Sequence, residues 1–277
     1  MRSNNEFAWR RLEVAAVALV VCLLTLTDPA RAQLAAPGSS GVVMGHLHLA
    51  TKDMEASKRF WTALGGVAVQ NGPLQLIQLP GTFVMLRESP QTTGGSEGST
   101  VERVVFRVRT SEIPQLIQRL EQATGAKFAG FLLTSPEGVT IELRGATSQA
   151  AAPVRMERLD FKTVAPAETR DWYAKTFGAS ANMLAGSAPQ VYIAELPGLS
   201  MYFRKADAAP AGTKGRGLDH IGFEVKNLEE FCKKLEAAGQ KFDRPYGRLP
   251  NSTVAIAFLT DPWGTYIELT ENLAPTK

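Results

Sequence analysis

The sequence predicts an α+β fold assembled from four modules of the βαβββ type, the second of them abbreviated, arranged as two domains with curved, cup-shaped mixed sheets. Three observations carry that expectation. A strand of alternating apolar residues followed by a short amphipathic helix recurs four times after residue 42. Turn signals recur behind each helix, at Pro80-Gly81, Pro136-Glu137-Gly138, Pro197-Gly198 and Pro262-Trp263-Gly264. A stretch rich in alanine divides the repeats two and two.

The first module opens with the alternating run Val43 to Ala50 and continues into a helix over Asp53 to Leu64, with Asp53 as N-cap and Gly65-Gly66 as its stop. Segments Leu74 to Leu79 and Thr82 to Arg87 then form a hairpin around Pro80-Gly81. The second module runs through strand Val101 to Val108, helix Ile113 to Ala123 and strand Val139 to Leu143; between Phe128 and Phe131 it lacks about one strand of residues. In the third, strand Met156 to Thr163 and helix Ala167 to Phe177 precede a hairpin of Gln190 to Glu195 with Leu199 to Arg204. The fourth has strand Leu218 to Val225, helix Leu228 to Ala238, and strands Ser252 to Phe258 and Tyr266 to Thr270. Domains are therefore expected at 43–145 and 155–273, with linkers at 33–42 and 146–154.

Residues 1–32 stand apart. Arg10 and Arg11 precede an apolar run, Leu12 to Leu26, that ends in Ala30-Arg31-Ala32, the order of a cleavable secretory signal. The run is short for a membrane span of about 20 residues. The expectation is export to the periplasm or the extracellular space, cleavage after Ala32, and no stable membrane anchor in the mature chain. Only Cys232 then remains, too few for an internal disulfide; within a helical pattern it reads as a small core residue. Of the 277 residues, 44% are hydrophobic and 21% charged, ordinary proportions for a globular chain. The net charge of +3 is spread without a basic stripe, which excludes a nucleic-acid partner. Nothing resembles a phosphate-cradling glycine loop, so no nucleotide cofactor is expected.

The stretch Gly217-Leu218-Asp219-His220-Ile221-Gly222-Phe223-Glu224-Val225, with Phe258-Leu259-Thr260-Asp261-Pro262-Trp263-Gly264-Thr265-Tyr266-Ile267-Glu268-Leu269 behind its helix, resembles the vicinal oxygen chelate module. That group comprises glyoxalases, bleomycin-resistance proteins and dioxygenases. His46 to Ala50, Asp53, Ser57, Phe60 and Trp61 resemble the opening half of the same module. The resemblance covers residues 43 to 272. It implies paired modules whose strands curl into a cup, with one divalent metal (iron, manganese, zinc or nickel) held by residues of the first and last strands.

All three histidines of the chain lie in such strands. Aligning the modules places His46, Arg103, Arg158 and His220 at one ligand position, and Met85, Glu142, Tyr202 and Glu268 at the other. If the first and fourth modules pair, His46, His220 and Glu268 form a two-histidine, one-carboxylate set suited to such a metal. Pairing of neighbours instead leaves neither cup with three good ligands, and the sequence leaves both pairings open. His48, on the same strand face as His46, is the candidate catalytic base, or an extra ligand. Two functions follow. One is a metal-dependent lyase, isomerase or dioxygenase acting on a small vicinal-oxygen substrate; glyoxalase I itself fits poorly, because the resemblance implies a carboxylate where Met85 stands. The other is a metal-free small-molecule binding protein of the bleomycin-resistance type. Self-association is left open.

Overall fold

The computed structural model describes residues 34–147 and 154–275; the expected signal at 1–32 lies outside the described residues, as does most of the expected linker at 146–154. Module one comprises β1 (Val42–Thr51), α1 (Met54–Leu64), β2 (Val67–Asn71), β3 (Leu74–Leu79) and β4 (Thr82–Glu88). Module two comprises β5 (Val101–Arg109), α2 (Ile113–Thr124), β6 (Leu132–Thr134) and β7 (Thr140–Ala146). Module three comprises β8 (Val154–Thr163), α3 (Pro166–Phe177), β9 (Ser180–Met183), β10 (Tyr192–Leu196) and β11 (Leu199–Lys205). Module four comprises β12 (Leu218–Val225), α4 (Leu228–Ala237), β13 (Arg244–Arg248), β14 (Ala255–Thr260) and β15 (Tyr266–Glu271). The second module has three strands where the others have four, as its missing residues predict.

The strands assemble into two mixed sheets. One has the order β13-β14-β15-β12-β1-β4-β3-β2, the other β6-β7-β5-β8-β11-β10-β9. The first and fourth modules therefore share one sheet, and the second and third share the other. Each sheet is joined at its middle by the opening strands of its two modules, β1 with β12 and β5 with β8, both antiparallel. Within each module the last strand returns parallel to the first. Each half of the chain thus contributes one module to each sheet.

The helices form where the pattern demands. Asp53 caps α1 by accepting the Ala56 N–H at 2.9 Å, and Gly65 ends it at φ 119°, a left-handed conformation that glycine adopts without strain. The helix buries Phe60, Trp61 and Leu64. One contiguous apolar core contains these side chains with Leu47, Phe106, Phe161 and Phe223, so both sheets put one face into it. Two buried polar pins tie helices to turns of the next module. The Trp61 indole N–H donates to Glu137 at 3.3 Å, and the Tyr173 hydroxyl donates to Asp261 at 3.0 Å. Cys232 is buried in the same core, as expected.

A smaller apolar cluster, Leu76, Phe83 and Leu273, with Met85 packed against it, is separate from that core. Phe83 and Met85 are the register partners of His46 and His48 across β1 and β4. In a parallel pair, partnered residues share a face. This cluster therefore lines the cup face of the first sheet, beside the histidines.

Candidate metal centre

His46 and His48 stand two residues apart on β1 and so project to one face of the sheet. Across the antiparallel ladder His46 lies opposite Gly222 and His48 opposite His220. Across the next, parallel ladder Gly222 lies opposite Glu268. Pairing of the outer modules is what brings residues 222 positions apart in sequence into contact. Glu268 Oε2 is 2.9 Å from His46 Nε2 and 2.9 Å from His220 Nε2. His46, His220 and Glu268 are 0%, 4% and 5% exposed, so these polar groups meet with almost no water around them.

A β-bulge supplies a fourth partner. In the β1/β12 ladder His48 pairs with His220 but Leu49 with Leu218, leaving Asp219 as the extra residue. Its carboxylate Oδ1 is 2.7 Å from His220 Nδ1. That contact orients the ring and holds a proton on Nδ1, leaving Nε2 to donate to Glu268 or, with an ion bound, to serve as a ligand, the arrangement by which an outer carboxylate positions a ligating histidine. Asp219 also accepts the Gly215 N–H at 2.8 Å and approaches Arg87 at 3.4 Å. Strict alternation sends residue 219 to the opposite face from 220, so this role was not legible in the sequence.

The electrostatics follow from these contacts. Burial pushes the Glu268 carboxyl up, but hydrogen bonds from His220 and His46 outweigh it and hold Glu268 well below the usual carboxylate range. Burial likewise disfavours a charge on His220; the hydrogen bonds to Asp219 and Glu268 prevail and raise it. Asp219 is lowered, because the His220 and Gly215 bonds overcome its desolvation. His48 is pushed down to about 3, first by burial and then by the neighbouring His220 and His46. It is neutral near pH 7, the form that carries a free lone pair.

The four sequence-predicted residues converge. Ligand atoms of His46, His48, His220 and Glu268 all lie within 4.8 Å of one another. The His48 ring tilts 35° against His220 with centroids 4.3 Å apart. Phe258 and Tyr266, stacked at 5.2 Å, both face the His220 ring edge-on, and Lys214 lies 4.3 Å over Tyr266. The donor set suits a divalent ion: two imidazoles and a carboxylate, with His46 Nδ1 and both His48 nitrogens buried and without a hydrogen-bond partner. Cavities of about 340 and 460 Å³ lie elsewhere, and neither is lined by a residue of this cluster.

The corresponding place in the second sheet is closed by ion pairs. Glu142 is 2.6 Å from Arg103 and 3.7 Å from Arg158, and Arg158 is 2.7 Å from Asp160. The Arg158 guanidinium also lies 4.6 Å over the Tyr202 ring. Here Glu142 takes the place that Glu268 takes between its two histidines, with guanidinium groups supplying the positive charge. A cation at that point would meet two arginines at contact distance.

A family model for the Glyoxalase/Bleomycin resistance protein/Dioxygenase superfamily matches residues 155–269. That match is a likeness of one part of the chain to this superfamily. The matched stretch comprises the third and fourth modules, which carry His220 and Glu268. The lactoylglutathione lyase of Escherichia coli O157:H7 is 39% identical over 57 residues, 21% of this chain and 42% of that protein. The chain thus matches less than half the length of that relative. Among solved structures, glyoxalase I from Zea mays superposes with a TM-score of 0.63 over 83% of this chain and 92% of that one, at 15% identity. A Bacillus subtilis protein solved as a candidate dioxygenase superposes with a TM-score of 0.62 over 87% of each chain, also at 15% identity. Both likenesses are of fold. They span the two sheets, and so include the modules that the family model does not match.

Proposed function

We propose that this chain is an exported, metal-dependent enzyme of the glyoxalase/bleomycin resistance/dioxygenase superfamily, with lyase, isomerase or dioxygenase chemistry on a small substrate bearing adjacent oxygens. The observation that carries the reading is the convergence of His46, His220 and Glu268 in one water-poor cluster, from both ends of the chain. A bound divalent ion would supply Lewis acidity to two neighbouring substrate oxygens. The chain's own residues do the rest. His46 and His220 present Nε2 from opposing strands, and Glu268 balances the charge. Asp219 keeps His220 in the ligating tautomer. Phe258 and Tyr266 shield one side of His220 from solvent.

Met85 shapes the choice of reaction. It stands on β4 opposite His48, where a carboxylate would be expected for lactoylglutathione lyase chemistry, and a thioether cannot take up a proton. We therefore place the activity outside that reaction. The leader Arg10 to Ala32 supports export.

A second reading is favoured by a specific observation. Glu268 bonds to both His46 and His220, and Asp219 to His220, without any ion, as in a metal-free binding cup of the bleomycin-resistance type. Metal content per chain, after purification without chelators and reloading with iron, manganese, zinc or nickel, separates the two. About one equivalent, lost in Glu268→Ala, supports the enzyme; no metal under any loading leaves the binding protein.

A further inference from the structure

His48 is the unexplained member of the cluster. Among the described residues it has two buried ring nitrogens, and neither has a hydrogen-bond partner. A neutral imidazole carries one N–H donor and one lone pair, and leaving a buried polar atom unsatisfied costs about 1–3 kcal/mol. A general base is ordinarily held by a partner on its distal nitrogen, as Asp219 holds His220. His48 has no such partner. What lies within reach is the pair of ligand histidines and Glu268, with all four ligand atoms inside 4.8 Å. Ligand bonds of about 2.0–2.2 Å to a central ion put neighbouring donor atoms roughly 3–4 Å apart, so small rotations bring the four onto one ion.

We propose that His48 is a fourth metal ligand, completing a centre of three histidines and one glutamate. The inference rests on the metal-dependent reading above. Strand register supports it: Met85, opposite His48 on β4, offers no hard donor, and His48 occupies the neighbouring place on the same face. The residue thus does for β1 what a carboxylate on β4 would otherwise do. With six-coordinate ions, four protein ligands leave two positions, the number that adjacent oxygens of one substrate require.

The test uses the purified protein, His48→Gln and His46→Ala, each checked for folding by circular dichroism. Co(II) titration measures affinity, and electron paramagnetic resonance of the Cu(II)-loaded protein counts coordinating nitrogens. The expected result is three nitrogens in the native protein, two in His48→Gln, and Co(II) binding weakened at least about 10-fold. Two nitrogens in the native protein, with unchanged affinity in His48→Gln, would overturn the assignment of His48 while leaving the metal centre standing. Failure of the native protein to bind either ion would overturn the metal-dependent reading and the assignment with it. If His48→Gln does not fold, the native nitrogen count alone decides.

Discussion

The α-carbon of Gly222 lies against the imidazole of His46, so close that a β-carbon there would overlap the ring. The two residues are register partners across β1 and β12, and only glycine leaves the ring its place between the strands. Gly222→Ala is expected to turn His46 away from Glu268. Overpacking of this kind costs about 1–3 kcal/mol. Thermal unfolding with metal analysis checks it: Tm should fall and bound metal should be lost together. Full metal content in a folded Gly222→Ala protein would show that His46 is not held by this contact.

Glu224 gives the cup a pH dependence of its own. Burial pushes its carboxyl up to about 7, although Thr270 and the backbone at Leu273 donate to it. A carboxyl raised in the folded state holds its proton more tightly there than when unfolded. Its stabilising effect is therefore complete below the ordinary value near 4.5 and lost as the pH rises through about 7. Glu224→Gln removes this titration, so the variant should gain roughly 2 kcal/mol relative to the native protein between about pH 5 and pH 8. Urea unfolding at the two pH values measures it; parallel profiles would count against the buried carboxyl.

Asp160 and Arg158 should matter far more than surface pairs. Both side chains are below 10% exposed at 2.7 Å, whereas Lys58 and Glu55 make their ion pair in solvent. Asp160→Ala leaves a guanidinium buried beside a weakened set of acids and is expected to cost about 3 kcal/mol. Glu55→Ala should change stability by less than about 0.5 kcal/mol. Equal effects in denaturant titrations would mean that the second sheet does not depend on this network.

Cys232 should be inert in the folded protein. It is 2% exposed, and burial pushes the thiol up to about 12, so thiolate is scarce near pH 8. A thiol reagent should label it only as the chain unfolds. Stoichiometric labelling of native protein within minutes would contradict its place in the core.

The sequence marked the opening strand and the helix of every module, because alternation and the 3.6-residue period report directly on which faces are buried. It did not mark β2, β6, β9 or β13. Their residues are mostly exposed, Ser180 to Met183 entirely so, and a strand whose two faces are wet carries no apolar period. His46, His48, His220 and Glu268 were legible for the opposite reason. They are polar residues inside strands otherwise apolar, where a polar group needs a partner.

What the sequence alone determined was the set of modules and the ligand types that each could offer. Which modules meet was decided only by tertiary structure. The ladder between β1 and β12 joins strands more than 160 residues apart through backbone groups that every residue carries, so no local pattern announces it. That pairing places His46 against Glu268, shapes the space at Gly222, and through the bulge at Asp219 turns His220 towards them. In the second sheet the matching pairing of β5 with β8 brings Arg103 and Arg158 to Glu142, where guanidinium groups stand in the place of the two histidines.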